Sequence, residues 1–83
     1  MDSAELLRIF IAQVKARAKV KGYSINRLAD FSGLGRGFMS EVLRGKKKPS
    51  LSTIASIAAA LDAEPCELLS PLDDARKISG RRK

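Results

Sequence analysis

The feature that most restricts this chain is its punctuation, because signals that stop one helix and start the next recur at short intervals from Gly22 to Pro71. Gly22 suits the position just past a helix end, and Ser24 can cap the next helix by offering its hydroxyl to a backbone N–H. Ser32-Gly33-Leu34-Gly35 reads as a tight turn, with Gly33 free to adopt a positive φ. Gly45 closes a third helix, Pro49 forbids its continuation, and Ser50 caps a fourth. Pro65 suits the first turn of a fifth helix ending near Leu69, and Pro71 follows it.

Between these marks, apolar residues recur at helical spacing. Leu7, Ile11, Val14 and Ala18, with Leu6 and Phe10, form a wide stripe over residues 4–21. Leu28 and Ala29 face inward on a helix from about Ile25 to Phe31. Met39, Val42 and Leu43 do so from about Arg36 to Leu43 or Arg44, and Ile54, Ile57, Ala58 and Leu61 from Leu51 to about Leu61. The expected fold is all-α, a compact bundle of five short helices in one domain over residues 1–70. Residues 71–83 read as a basic, disordered tail, since from Asp73 onward the one large apolar residue is Ile78.

Composition excludes several chemistries. With one Cys and no His among 83 residues, neither a His/Cys zinc site nor an internal disulfide can be built, and the commonest general base is missing. No metal, cofactor or catalytic residue is expected, and the chain does not read as an enzyme. Gly33-Leu34-Gly35-Arg36-Gly37 is rich in glycine, but it follows a helix and lacks both dinucleotide and P-loop spacings. The longest apolar stretch, Ile54 to Leu61, is too short to span a bilayer, and the acidic start Met1-Asp2-Ser3-Ala4-Glu5 is not that of a secretory signal. A cytoplasmic location is expected.

The formal charge of +7 is unevenly spread. Residues 1–14 carry −1 and residues 15–48 carry +8; residues 49–74 hold no Lys or Arg and carry −5, and residues 75–83 return +5. Such segregation assigns one face to a polyanion and another to a different partner. The plain alternative is a set of solvated helix faces.

The stretch Leu28-Ala29-(x3)-Gly33-Leu34-Gly35-Arg36-(x2)-Met39-Ser40-(x3)-Arg44-Gly45-Lys46-Lys47-Lys48-Pro49-Ser50-Leu51 resembles the lambda-repressor/Cro-type helix-turn-helix family. Members typically read L-A-x-x-x-G-V-S-Q-x-x-I-S-x-I-E-x-G-K-x-x-P-S-L here. The later Ile54-(x2)-Ile57-Ala58-(x2)-Leu61 and Glu67-Leu68-Leu69 are also similar to the family's fourth and fifth helices.

The resemblance implies sequence-specific binding of double-stranded DNA, with the second and third helices as the helix-turn-helix and the third in the major groove. The base-facing residues it implies are Arg36, Gly37, Phe38, Ser40 and Glu41. Arg36 is foremost, because a guanidinium at the first turn can fork onto guanine O6 and N7. Phe38 is either a thymine-methyl contact or a core aromatic, and Glu41 either a reader of cytosine N4 or a salt-bridged surface residue. Gly37 permits close backbone approach. Phosphate contacts are implied for Lys21, Ser24, Asn26, Arg27, Arg44, Lys46, Lys47 and Lys48.

Departures from the family pattern carry their own expectations. The position of Ile25 is usually Gln, which holds a phosphate and orients the first recognition-helix residue. Ile cannot do this, so Asn26 substitutes or the contact is lost. Gly35 replaces the usual Ser or Thr cap and is the weaker cap. An interior Arg–Glu pair of many members falls at Ala18 and Leu43, so Leu43 is expected to be buried against the first helix.

Regulators of this kind pair across palindromes, so a homodimer is expected through Pro65, Cys66, Leu68 and Leu69. Cys66 reads as a small buried hydrophobe, the alternative being a redox or intersubunit role. The expected function is a repressor of phage, plasmid or restriction-controller type, with no small-molecule effector domain and no membrane partner. The alternative is a peripheral membrane or protein-interaction module using a basic amphipathic first helix.

Overall fold

The computed structural model describes residues 2–71 and contains five helices in that range: α1 Ser3–Lys21, α2 Ile25–Ser32, α3 Arg36–Leu43, α4 Leu51–Ala60 and α5 Pro65–Leu68. Residues 72–83, which include nearly all of the expected tail, lie outside the described residues.

The helix limits follow from local chemistry. Asp2 accepts the Glu5 N–H at 2.8 Å, which starts α1 one residue earlier than periodicity alone implies. Ser24 accepts from Arg27 N–H at 3.1 Å, and Ser50 accepts from Thr53 N–H at 3.2 Å. Gly35 begins α3 with no side-chain cap, as its lack of a side chain dictates. At the α2–α3 turn, Gly33 sits at φ 72°, and the Leu34 N–H returns to the Ala29 carbonyl at 3.0 Å.

The core is drawn from every helix. Phe10, Val14 and Ala18 of α1 meet Leu28 and Ala29 of α2, Met39, Val42 and Leu43 of α3, Ile57 and Ala58 of α4, Leu61, and Leu68 of α5. Helix α2 packs against α3 and α4, and α1 packs against α5 and α3. Leu43 is buried in the same cluster as Ala18, as the apolar replacement of a charged pair requires. Of the apolar stripe of α1, Phe10, Val14 and Ala18 are buried in the interior, while Leu6, Leu7 and Ile11 are half-buried. No helix among the described residues is long and apolar enough to cross a membrane.

Two buried polar side chains, Gln13 and Thr53, stand out among the described residues. Apolar periodicity does not reveal Gln13. Its amide donates to the Ser70 carbonyl at 2.6 Å and accepts from Arg17 Nε at 3.1 Å, and the Arg17 guanidinium lies 3.8 Å from the Glu67 carboxylate. This chain of contacts ties the end of α5 to the middle of α1 across 57 residues. Replacing Gln13 by Leu keeps the volume but strands the Ser70 carbonyl. We expect a loss of about 1–3 kcal/mol in unfolding free energy, read from the denaturant midpoint at unchanged slope.

A candidate nucleic-acid interface

Helices α2 and α3 pack directly on each other and are joined by the short Gly33–Gly35 turn. Leu34 plugs the turn onto the core, which fixes the angle at which α3 leaves α2. Arg36 is the first residue of α3 and its side chain is more than half exposed. Gly35 and Gly37 flank it, and a Cβ added at either would meet nothing within 4 Å, so the backbone is bare on both sides of the guanidinium.

Arg36 is not free in this structure. Its Nη2 donates to Asp30 Oδ2 at 2.8 Å and its Nε to Asp30 Oδ1 at 3.2 Å, a two-pronged contact from the start of α3 back to the last turns of α2. The Arg36 hydrogen bond holds the Asp30 carboxyl below its ordinary 3.8, with Arg27 adding a smaller electrostatic pull in the same direction. The Arg36 guanidinium is raised in return, chiefly by that same hydrogen bond. A carboxylate whose pKa is lowered on folding stabilises the fold above 3.8, and its contribution fades as pH falls through the lower folded value.

Phe38 is half-buried and packs on the core, which favours its role as a core aromatic. Ser40 is half-buried. Glu41 pairs with Lys47 at 3.6 Å, the salt-bridged alternative. Gly37, Asn26, Arg27, Arg44, Lys46 and Lys48 are exposed. Ser24 is exposed, but its hydroxyl is engaged as the α2 cap. Lys21 is exposed and pairs with Asp62 at 2.9 Å, which raises the Lys21 ammonium above its ordinary value. Asp62 itself sits at φ 56° in the α4–α5 turn. Ile25 is partly exposed, as is Phe31, which meets Tyr23 edge-on with ring centroids 5.0 Å apart.

At the far end of the bundle, two expectations are corrected. Cys66 is exposed, not buried, because the four-residue α5 turns only one face inward. That inward face is Leu68, fully buried within the monomer and so unable to line a surface between copies. Pro65 is exposed. Half-buried Leu69 borders a groove of about 150 Å³ with Leu6, Leu7, Phe10, Pro49 and Ile54.

Sequence reasoning missed Asp30 as a partner of Arg36. The available signal was a carboxylate near the end of one helix and a guanidinium at the start of the next, across a glycine turn that folds the chain back on itself.

Two packed helices, a tight glycine turn and an exposed basic residue opening the second helix define a helix-turn-helix domain. The chain belongs to the family of Cro/C1-type HTH DNA-binding domains, whose pattern matches residues 14–74. It is 38% identical over 56 residues to the HTH-type transcriptional regulator SlrR of Bacillus subtilis (strain 168), covering 66% of this chain and 37% of that protein. It is 30% identical over 63 residues to the HTH-type transcriptional regulator SinR of Bacillus licheniformis, covering 75% of this chain and 57% of that protein. The chain thus spans less than two thirds of the length of either regulator.

Among solved structures, the hypothetical transcription factor NHTF from Neisseria superposes with a TM-score of 0.85 at 31% identity, covering 94% of this chain and 88% of that one. The restriction-modification controller protein C.AhdI from Aeromonas hydrophila gives a TM-score of 0.70 at 40% identity, covering 75% of this chain and 94% of that one.

Proposed function

We propose that this chain is a cytoplasmic, sequence-specific transcriptional regulator of restriction-controller or repressor type that binds a palindromic operator on double-stranded DNA as a homodimer. The observation that carries the reading is the exposed Arg36 at the opening turn of α3, held on a packed α2–turn–α3 frame. In this reading α3 enters the major groove and Arg36 forks onto a guanine. The exposed backbone at Gly37 and the Ser40 hydroxyl complete the approach to the bases. Phe38 contributes only its exposed edge, and Glu41 must leave Lys47 to reach a base.

Asn26, Arg27, Arg44 and Lys46, Lys47 and Lys48 take phosphates, fixing register without reading sequence. Ser24 contributes through the start of α2, and Lys21 joins only if Asp62 releases it. The second copy is assigned to the side bearing Pro65, Cys66 and Leu69. Residues 49–74, free of Lys and Arg, make that side the one least drawn to DNA. The 40% identity to the restriction-modification controller C.AhdI supports the controller variant of this reading.

Selection from a random duplex library at several salt concentrations tests it. The expected outcome is one enriched palindrome, two protein chains per duplex, and affinity that falls steeply with salt. Affinity that tracks total phosphate with no enriched sequence would refute it.

A further inference from the structure

We infer that Asp30 is a positioning and specificity-determining residue for the recognition helix: it grips the Nε/Nη2 edge of Arg36 and leaves the Nη1-bearing end to read the duplex. The inference rests on the DNA-reading role proposed for α3.

Three observations carry it. First, the residues on either side of Arg36 are glycines, so no adjacent side chain covers its guanidinium, which is more than half exposed. Second, the hydrogen bonds that the Arg36 guanidinium donates among the described residues both go to Asp30, one to each carboxylate oxygen. A fork-to-fork contact of this kind fixes the plane of the guanidinium as well as its place.

Third, the contact consumes the correct edge. A guanidinium has five N–H donors, and the Asp30 carboxylate takes the one on Nε and one on Nη2. Both donors of Nη1 and the second of Nη2 remain, and this pair of terminal nitrogens matches guanine O6 and N7. Ile25, at the opposite end of α2, has no group that could perform this service, whereas Asp30 reaches Arg36 across the turn.

The same carboxylate has a second effect. It places a negative charge, held ionised beside Arg27 and Arg36, close to the element that meets the polyanion. Phosphates encountered at random are thereby disfavoured relative to the one register in which Arg36 finds its base.

The two effects predict opposite changes, which separates positioning from mere structural support. In the full chain, Asp30→Ala should lower discrimination at the base pair read by Arg36 by about tenfold, leaving other pairs discriminated as before. Binding to unrelated duplexes should rise a few-fold, with a steeper salt dependence. In an Arg36→Ala background, adding Asp30→Ala should change discrimination at no base pair. Asp30→Asn, which keeps the shape and loses the charge, should behave like the alanine variant, and Asp30→Glu should restore part of the discrimination.

Discrimination that Asp30→Ala leaves intact at every pair, or lowers equally at all of them, would overturn the inference while leaving the proposed function standing. A wild-type chain without sequence preference would overturn both. Thermal unfolding of each variant alongside wild type establishes that the fold is shared.

Discussion

Truncating Leu28 to Ala should lower the unfolding free energy by about 2–5 kcal/mol, the range for removing a large aliphatic side chain from a packed interior. Leu28 is 1% exposed and lies on α2, the helix that packs against both α3 and α4. A domain of this size has a total stability of roughly 5–10 kcal/mol, so the loss is a large fraction of the whole. Denaturant titration should show a lower midpoint at unchanged slope. DNA affinity should fall with the folded fraction, because α2 is what aims α3. The control is Leu51→Ala, at a position 83% exposed, where a change within about 0.5 kcal/mol is expected. Equal losses at the two positions would contradict the packing described for α2.

The second large effect belongs to Arg36. Replacement by Ala should weaken binding to the selected operator roughly 5- to 150-fold, and tolerance at one base position should widen. Lys47→Ala should act differently: it removes one positive charge beyond α3, weakens all duplexes alike, and lowers the salt slope by about one ion. Both residues start from ion pairs in the free protein, Arg36 with Asp30 and Lys47 with Glu41. The geometry differs, since Arg36 is held by two bonds and Lys47 by a single contact at 3.6 Å. Competitive binding against single-base variants of the operator separates the two roles. Uniform weakening by both variants would remove Arg36 from the base-reading position.

Helix limits are legible in this sequence because caps are local. Ser24, Ser50 and Gly33 each act on backbone groups within a few residues, so the residue type announces the boundary. The core is legible for a related reason: Phe10, Val14 and Ala18, or Met39, Val42 and Leu43, share a helix face dictated by the period of the helix. Side-chain partnerships between elements have no such period. Gln13 looks like a surface residue until the end of α5 arrives to accept its amide, and Asp30 looks like a solvated carboxylate until the turn brings Arg36 back to it. Lys21 likewise gives no sign in the sequence of its ion pair with Asp62, 41 residues away. At α5 the helix is too short for periodicity to state which side faces in, so Cys66 and Leu68 exchange the surroundings expected of them.

The absence of ionised groups from the buried set among the described residues has a practical corollary. The cluster that holds Ala18 and Leu43 is apolar, and the buried polar side chains among the described residues, Gln13 and Thr53, are uncharged. Ion pairs at or near the surface add little to stability. Added salt therefore acts on this domain mainly where it meets DNA, and a logarithmic plot of affinity against ionic strength reports the counterions displaced together with the Lys47–Glu41 and Lys21–Asp62 pairs that binding exchanges for phosphate.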